Sequence, residues 1–346
     1  MDAMGTDGAP LSEIEGAIRF LEESETDREV LLVGHEDLIR EELRALSGFP
    51  SDRLSIVHAP DRIVPGEAPV AAVRRKPGSS IVVGIKLQKE GRADAFVSAG
   101  STGAVTASSL LFLRPLKGVD RPAIGTILPT SGRPTLLLDA GANVDCKPRH
   151  LLQFAHLGRV YAQDIMGVED PRIGLLNIGE EPEKGNQVAV ESYRLLLASD
   201  LNFVGNIEGR EIIRGGCDVL VCDGFVGNLV LKFFESVAGF VIGLLKREMK
   251  AHHAEGLDLN EIFRILDYEE YGGAPLLGVN GVSIIMHGSS PPKAICNGLL
   301  AAARAVESKI VTHVASELAY ELPPGRGELL GGERRSGERG GRVAEW

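Results

Sequence analysis

A lone lysine among acids and glycines is the first candidate for chemistry in this chain. Residues 175–186 read LLNIGEEPEKGN, so a short apolar run ends at Asn177 and Gly179, and Lys184 follows three carboxylates. A cation on a glycine-containing loop after a strand is suited to binding an anion. The alternative is a surface ion pair between Lys184 and a neighbouring glutamate, which contributes only about 0–1 kcal/mol.

The stretch SAGSTGA is the second candidate, because it combines glycines and hydroxyl groups at the start of a helix-like segment. Such a loop exposes backbone N–H groups that can hold an anion. Its candidate anion-binding residues are Ser98, Gly100, Ser101, Thr102 and Gly103.

Four further apolar runs end in small polar residues. For any one of them, an ordinary turn is the simpler interpretation. We expect all of these ends, together with Ser98, to lie at one edge of a parallel sheet, where ligands bind beyond the carboxyl ends of the strands. The resulting cleft would be lined by Asp139, Asn143, Asn177, Gly205, Asn206, Asp223 and Asn228.

Four more residues have both a functional and a simpler interpretation. His287, in MHGSS, is either a ligand-binding histidine or a hydrogen-bonded turn histidine. Cys146 could be a nucleophile, but no histidine supports it, and an inert thiol is the better interpretation. Asp2 and Asp7 are candidates to cap the first helix.

The common catalytic signatures G-x-G-x-x-G, G-K-[ST], H-E-x-x-H and G-x-S-x-G do not occur in the sequence. Their absence removes the strongest indications of dinucleotide binding, nucleotide triphosphate binding, zinc hydrolysis and serine hydrolysis. What remains is a cleft with glycine-rich anion loops, asparagine side chains, Lys184 and His287.

The composition narrows the class of protein further. The chain has 346 residues, 44% of them hydrophobic, and a net charge of -11. It can bury a large core, and it lacks the basic surface that general nucleic-acid binding requires. Four cysteines without regular spacing favour a reducing setting, and no signal peptide is indicated. The most apolar run, 229–245, contains two charges and is expected to fall short of the ~20 residues that span a bilayer.

Alternating patterns predict the elements that position these residues. Short apolar runs alternate with amphipathic segments, which predicts βαβ units around a buried parallel sheet. AIGTILPTSGRPTLLLD predicts an antiparallel hairpin set into that sheet. SSIVVGIKLQKEG is ambiguous, and its ends favour a helix. The predicted strands lie in 94–100, 134–141, 172–179, 201–209 and 217–224.

Two segments depart from this alternation. Residues 229–271 are predicted to form a helical arm, whose apolar surface indicates a core and subunit interface or, alternatively, contact with a membrane. Residues 323–346 are rich in Gly, Arg and Glu and are predicted to be a disordered tail. Residues 1–322 are therefore expected to form a single α/β domain.

A series of longer motifs resembles one known family. In order, the chain contains DAMGTD, SAGSTGA, LLDAGANVDCKPRHLLQFAHLG, GLLNIGEEPEKGN, FVGNIEGREI, DVLVCDGFVGNLVLK and GGAPLLGVNGVSIIMHGSS. From residue 2 to about 316, the chain resembles the bacterial acyl-acyl-carrier-protein:phosphate acyltransferase family of phospholipid synthesis. The resemblance implies that a fatty acyl carrier protein and inorganic phosphate react to give an acyl phosphate and free carrier protein.

The resemblance also implies a fold, partners and a location. The expected fold is Rossmann-like, an open, mostly parallel sheet with helices on both faces. It is of the isocitrate/isopropylmalate dehydrogenase and phosphotransacetylase type, with a helical arm. The expected partners are acyl carrier protein, a second copy in a homodimer, and a membrane glycerol-phosphate acyltransferase that consumes the product. The expected location is the cytoplasm, with peripheral contact at the inner face of the membrane. No metal, cofactor or nucleic acid is expected.

The chain departs from the family pattern at three positions. A short apolar strand usually precedes DAMG in that family, whereas this chain starts at Met1. Either the start is misassigned or the first strand is truncated, and without that strand a central strand is expected to be missing and stability lowered. Thr6 replaces a usual glycine and Ser101 replaces a usual asparagine. The serine keeps a hydrogen-bonding group in the anion loop.

The reaction that the resemblance implies leads to a hypothesis for the roles of the candidate residues. Lys184 is expected to bind phosphate or the developing oxyanion, and Asn143, Asp223 and Asn228 are expected to orient the substrate or its carbonyl. Phosphate needs little base and a thiol leaving group needs little acid, so positioning and oxyanion stabilisation are the main requirements. The phosphate- or substrate-binding candidates are Ser98, Gly100, Ser101, Thr102, Gly103, Asn177, Gly179, Asn186 and His287.

Docking of an acidic carrier protein would require a local basic patch on this acidic chain. A solvated surface is an equally good interpretation of the available cations. The candidates are Arg74, Arg75, Lys76, Arg114, Lys117 and Arg121.

Two other functions remain as alternatives at this point. The shared fold type allows a nicotinamide-dependent dehydrogenase, which would need a cofactor site and probable metal-binding carboxylates at a dimer cleft. A non-catalytic membrane-surface scaffold would gather carrier protein and lipid enzymes without turnover. NAD binding tests the first alternative, and phosphate-dependent release of carrier thiol tests the second.

Overall fold

A computed structural model describes residues 1–24, 28–46, 48–252 and 272–321. The part of the predicted arm from 253 to 271 and the predicted tail at 323–346 lie outside these residues. The strands are β1 Val30–Gly34, β2 Leu54–His58, β3 Ala95–Ser98, β4 Ala123–Leu128, β5 Thr135–Leu138, β6 Ile173–Asn177, β7 Phe203–Glu208, β8 Val219–Val221, β9 Ala274–Leu277 and β10 Val282–Ile285.

Helices cover both faces of the sheet that these strands form. The helix α5 continues without a break into a π-helical turn over Ser109–Leu113. The helices are α1 Leu11–Glu23, α2 Glu36–Ala45, α3 Pro69–Arg75, α4 Ser80–Lys89, α5 Thr102–Ser108, α6 Pro148–Asp164, α7 Gln187–Leu197, α8 Gly224–His252, α9 Pro292–Glu307 and α10 Ile310–Glu321.

The larger sheet has eight strands in the order β3-β10-β9-β4-β5-β8-β6-β7, and β1 and β2 form a small parallel sheet beside it. The five predicted strands are confirmed as β3, β5, β6, β7 and β8. The predicted hairpin is confirmed as β4 and β5, which pair antiparallel. The ambiguous segment is confirmed as the helix α4, whose cap residue Ser79 accepts a hydrogen bond from the backbone N–H of Val82 at 3.4 Å.

The two ends of the larger sheet run in opposite directions. β10 is parallel to β3, and β5, β6, β7 and β8 are parallel to one another. Between them, the pairs β10–β9, β9–β4 and β4–β5 are antiparallel. These reversals place the carboxyl end of β3 at one edge of the sheet and those of β5, β6 and β8 at the other. The expectation that Ser98, Asp139, Asn177 and Asp223 share one edge is therefore wrong.

The apolar runs of the central strands bury both of their faces. Leu136 and Leu138 of β5 pack in the same cluster as Phe154 of α6. Leu137, between them, packs in a second cluster with Val230 of α8. Because side chains alternate along a strand, α6 and α8 cover opposite faces of the sheet.

Residues 1–3 connect the small sheet to the large one. The backbone N–H of Asp2 donates to Val97 O of β3, and that of Ala3 donates to Val33 O of β1, both at 2.9 Å. These three residues therefore bridge β1 of the small sheet and β3 at the end of the large sheet.

Helix α8 presents a stripe of exposed apolar side chains. Phe225, Leu229, Phe233, Val237 and Phe240 recur every three or four residues and are between 41% and 69% exposed. By length and composition alone, the 24 residues Gly224–Arg247 would suffice to cross a membrane. By length and composition, the expectation that the apolar run is too short to cross a membrane is thus wrong. Length and composition are weak support for a membrane span, because the first turn of α8 packs against the folded sheet.

Candidate active site

A cavity of about 150 Å³ lies over β4, between α8 and the start of α5. Its apolar wall includes Ile124 of β4 and Ala140, which follows β5. Thr102, Asn228 and His287 are exposed side chains at its border. The polar residues that line it are Thr102, Thr126, Asn228, Lys232, Glu235, His287 and Ser290.

The cavity unites residues from opposite edges of the sheet. Thr102 follows β3 and His287 follows β10, whereas Asn228 lies near the start of α8, after β8. Helix α8 runs from the end of β8 over the face of the sheet and so reaches the other group. Three of the predicted site residues therefore face one shared space, although their strands end at different edges.

Ser98 lies beneath this cavity and holds its loop. Its hydroxyl donates to Asp2 Oδ2 at 2.6 Å and accepts from the backbone N–H of Gly100 at 3.0 Å. Both Ser98 and Asp2 are 1% exposed. A Cβ on Gly5 would lie 2.7 Å from Gly100 N, so loops 2–8 and 98–102 are in tight contact. Ser98 is thus placed to shape the loop. The expected capping of α1 by Asp2 or Asp7 is wrong, because no side chain caps this helix and its N-cap residue is Pro10.

Of the other residues in SAGSTGA, some hold the local structure together and one lines the cavity. Ser101 is the N-cap of α5, and its Oγ accepts from Ala104 N at 3.4 Å. Gly103 allows close packing of α3, because a Cβ there would lie 2.6 Å from Pro69 Cγ. Thr102 is left as the residue of this loop that lines the cavity.

Loop 2–8 is anchored by a buried carboxylate. Glu13 is fully buried, and it accepts from Thr6 N at 2.6 Å and from Thr6 Oγ at 2.9 Å. Thr6, which replaces the glycine usual in the family, thus gains a specific partner. Burial raises the pKa of Glu13 to about 7, against the opposing effect of the Thr6 hydrogen bonds.

We expect the free energy of unfolding to fall as the pH rises from about 4.5 to about 7, because Glu13 must ionise in the folded state. A raised pKa means that the folded chain holds this proton more tightly than the unfolded chain does. The shift corresponds to roughly 3 kcal/mol. Urea unfolding across this range should show a smaller fall for Glu13→Gln, which cannot ionise. Equal slopes for both proteins would contradict the assignment.

A second buried carboxylate organises the loop after β5. Asp139 Oδ1 accepts from the backbone N–H groups of Ile124, Gly141 and Ala142 at 2.9–3.1 Å. Its Oδ2 accepts from Asn143 N at 2.7 Å and from Asn143 Nδ2 at 2.8 Å. Burial raises the pKa of Asp139, and these donors act in the opposite direction. Asp139 therefore fixes the shape of residues 139–143.

Asn143 and Asp223 join this loop to α8. Asn143 O accepts from Gly224 N at 2.7 Å, and Asp223 Oδ1 accepts from Val226 N at 2.8 Å. Both predicted site residues therefore use polar groups to position the start of α8. Asn228 follows one turn later beside Gly141, whose added Cβ would lie 3.5 Å from Asn228 Oδ1.

The Lys184 loop is ordered by its asparagines. Asn177 Nδ2 donates to Lys184 O at 3.0 Å, and Asn186 Oδ1 accepts from Ala189 N at 2.9 Å, capping α7. Gly179 is required because a Cβ there would lie 2.8 Å from Lys184 Cγ. Lys184 is exposed, and it forms no ion pair with any residue that the structure describes, so the glutamate pair is not observed. It does not line the 150 Å³ cavity.

Four polar residues of the cavity, Thr126, Lys232, Glu235 and Ser290, were missed by the sequence reasoning. Lys232 of α8 brings an ammonium group to the cavity, where its Nζ lies 2.8 Å from Glu235 Oε2. Ser290, three residues after His287, is 3% exposed and also lines it. The available signal was a lysine and a glutamate three residues apart in an otherwise apolar helix, a costly place for charges without a function.

The cysteines do not supply an obvious nucleophile. Burial raises the pKa of Cys146 to about 12, with further increases from Asp139 and Asp223. A thiol with this pKa is almost wholly protonated near neutral pH. Within the described ranges, no group of three His, Cys, Asp or Glu side chains is arranged to hold a metal ion.

The fold is that of the phosphotransacetylases. A phosphotransacetylase from Streptococcus pyogenes superposes with a TM-score of 0.62 at 18% identity, covering 89% of this chain and 94% of that one. A branched-chain phosphotransacylase from Enterococcus faecalis superposes with a TM-score of 0.52 at 15% identity, covering 88% and 98%. At these identities the likeness establishes the fold class alone.

Sequence similarity then defines the family. The model for the family described as fatty acid synthesis protein matches residues 1–313. A phosphate acyltransferase from Heliobacterium modesticaldum is 49% identical over 331 residues, covering 94% of this chain and 98% of that protein. One from Desulfitobacterium hafniense is 50% identical over 326 residues, covering 92% and 96%. The chain therefore belongs to the family of the phosphate acyltransferases, and it is an acyltransferase whose acyl transfer involves phosphate.

Proposed function

We propose that this enzyme converts fatty acyl-[acyl carrier protein] and inorganic phosphate into acyl phosphate and free acyl carrier protein. The acyl phosphate then supplies the acylation of glycerol 3-phosphate in phospholipid synthesis. The observation that carries the proposal is the cavity where Thr102, Asn228, Lys232 and His287 converge in a phosphotransacetylase fold.

The reaction needs positioning more than strong acids or bases. An oxygen of the phosphate dianion attacks the thioester carbonyl carbon, and the carbonyl oxygen becomes an oxyanion. The carbon–sulfur bond then breaks, and the new bond between the carbonyl carbon and the phosphate oxygen remains. The phosphate proton passes to the thiolate. A phosphate ester has a second pKa of about 6 and a thiol a pKa of about 8.5, so the nucleophile and the leaving group both need little assistance.

The cavity residues divide these tasks. Thr102 and His287 line the side of the cavity near α5. They are proposed to hold phosphate together with the Lys232 ammonium group. Asn228 lies on the other side and is proposed to donate its amide N–H to the oxyanion. Asp139 and Asn143 act through the loop they shape, and Asp223 through its cap on α8. An aligned arrangement of this kind can contribute about 7–11 kcal/mol to lowering the barrier.

Lys184 stays in the proposal as a second cation. Its loop is exposed, and its ammonium group lacks an ion-pair partner among the described residues. We expect Lys184→Ala to lower the rate of acyl phosphate formation at least tenfold, because a cation near phosphate or the oxyanion stabilises developing charge. Lys309→Ala, a lysine of the turn before α10, is the control. Turnover of Lys184→Ala within a few-fold of wild type would remove Lys184 from the site.

The activity is tested by incubating the enzyme with palmitoyl carrier protein and phosphate. The product should react with hydroxylamine to give palmitoyl hydroxamate, since acyl phosphates acylate hydroxylamine readily. Free carrier thiol without trappable acyl phosphate would indicate a thioesterase instead. Absence of turnover together with tight NAD binding would favour the dehydrogenase alternative, and absence of both would favour the scaffold.

The assembly and location proposed for the enzyme rest on α8. We assign its exposed stripe, including Leu229, Phe233 and Phe240, to contact with a second copy in a homodimer. The arm at 229–271 would bring this cytoplasmic enzyme to the inner face of the membrane, where a glycerol-phosphate acyltransferase consumes the acyl phosphate. Sedimentation of the purified protein tests the dimer, and flotation with anionic lipid vesicles tests the membrane contact.

A further inference from the structure

Four exposed cations cluster on this acidic protein beside the start of α6. Two lie in the loop 117–121, one is the N-cap residue of α6, and one lies in the first turn of that helix. Gln153 of α6 ties the segments together, because its Oε1 accepts from Asp120 N at 3.0 Å and its Nε2 donates to Gly118 O at 2.8 Å. We call this cluster the carrier surface, formed by Lys117, Arg121, Lys147 and Arg149.

Three cations of this surface lie close enough to His150 to lower its pKa. Burial lowers the pKa of His150, and the positive charges of Arg121, Lys147 and Arg149 lower it further, against Asp120. Asp120 lies 3.3 Å from Arg149, and Asp145 is a second acid in the same stretch. Four cations against two carboxylates leave a local positive excess on a chain whose net charge is -11.

Hydrogen bonds connect the carrier surface to the start of α8, the helix that carries Asn228 of the cavity. Arg121 is followed by Pro122, whose carbonyl oxygen accepts from Asn143 Nδ2 at 2.7 Å. Asn143 in turn accepts from Gly224 N at the start of α8. Val144 follows Asn143 and is 63% exposed, which adds an apolar contact point between the cations.

The other basic candidate, 74–76, has most of its charge already committed. Lys76 Nζ lies 2.7 Å from Glu67 Oε1 and also donates to Arg62 O at 2.9 Å. Arg75 lies 3.8 Å from the other oxygen of the same glutamate. Among the described residues, three cations of the carrier surface form no ion pair, whereas in 74–76 this holds for Arg74 alone, so the carrier surface offers more cations to an acidic partner.

We infer that the acidic carrier protein docks on the carrier surface and delivers its acyl thioester past Val144 into the cavity. This inference rests on the proposed function, because only a carrier-linked substrate requires such a surface. Complementary charge at the rim of an interface mainly speeds association and is screened by salt over about 8 Å at physiological ionic strength. Docking should therefore weaken strongly as salt rises.

The test compares two double variants with the same change in charge. Arg121→Glu with Lys147→Glu reverses the carrier surface, and Arg74→Glu with Arg75→Glu reverses the other candidate. The Kd for holo carrier protein is measured at low and high salt, and KM is measured for palmitoyl carrier protein and for palmitoyl-pantetheine, which lacks the protein. For the first variant we expect the Kd and the carrier KM to rise at least tenfold at low salt, with an unchanged KM for palmitoyl-pantetheine. The second variant should resemble wild type.

Each other result has a distinct meaning. Equal carrier Kd values for both double variants, or a larger effect of the second, would overturn the inference. A rise in KM for both substrates would also overturn it, because the substitutions would then have disturbed the cavity. If wild type releases no thiol from either substrate, the proposed function fails, while the Kd comparison still decides where the carrier protein binds.

Discussion

Replacing Asn228 by Ala is expected to lower kcat for acyl phosphate formation by about 100- to 1,000-fold, the usual loss for one oxyanion donor. The side chain lines the cavity next to Gly141 and is not needed to cap α8, because Asp223 performs that task. Alanine is a better helix former than asparagine, so the first turns of α8 should persist. The measurement is kcat with palmitoyl carrier protein at saturating phosphate.

Asn202→Ala is the matched control for this substitution. Asn202, just before β7, is half-buried, and its side-chain amide donates to Asp170 O and Oδ2, away from the cavity lining. It should change kcat by less than twofold. A kcat for Asn228→Ala that matches this control would show that Asn228 does not act on the carbonyl oxygen.

Replacing Gly227 by Ala is expected to lower the free energy of unfolding by about 3 kcal/mol or more and to abolish turnover. The added Cβ would overlap the carbonyl oxygen of Asp139 and would also lie 3.0 Å from Cys222 Sγ. The overlapped atom belongs to the backbone of Asp139, and the side chain of Asp139 is held by five N–H donors. Because Asp139 is fixed in this way, the overlap must displace α8. Because Asn228 is the next residue, the cavity would lose its geometry as well.

Gly239→Ala makes the same chemical change in the same helix. Apart from its chain neighbours and the backbone of its own helix, no atom of the described residues lies within 4 Å of the position its Cβ would take. Helix propensity predicts that this variant is more stable than wild type by up to about 1 kcal/mol. Urea unfolding of both variants is the measurement. Equal midpoints for Gly227→Ala and Gly239→Ala would show that α8 does not depend on close approach to the Asp139 loop.

The sequence predicted the local elements well because their signals are local. The hairpin β4–β5 followed from a turn composition between two apolar runs, and the helix α4 from Ser79 and its closing glycine. The strands β9 and β10 were not identified, and with them the reversal of direction in the middle of the sheet was missed. Pairing of β9 with β4 joins segments about 150 residues apart, and no short-range pattern encodes it.

The sequence predicted several residues of the candidate site but not which of them line the cavity. Thr102, Asn228 and His287 do share a cavity, whereas the side chains of Ser98, Asn143 and Asn186 form hydrogen bonds that hold loops and a helix start in place. A hydroxyl or amide at a strand end can cap a turn or bind a ligand, and the sequence does not distinguish the two. The helical period that brings Lys232 onto the cavity, one turn after Asn228, is the signal that could have identified it.

The most direct test of the account is a rapid-mixing measurement of carrier thiol release from palmitoyl carrier protein, with and without phosphate. If phosphate held in the cavity is itself the nucleophile, no thiol should appear without phosphate, and thiol and acyl phosphate should form in equal amounts when it is added. A burst of thiol stoichiometric with the enzyme in the absence of phosphate would contradict the account, because it would require an acylated side chain.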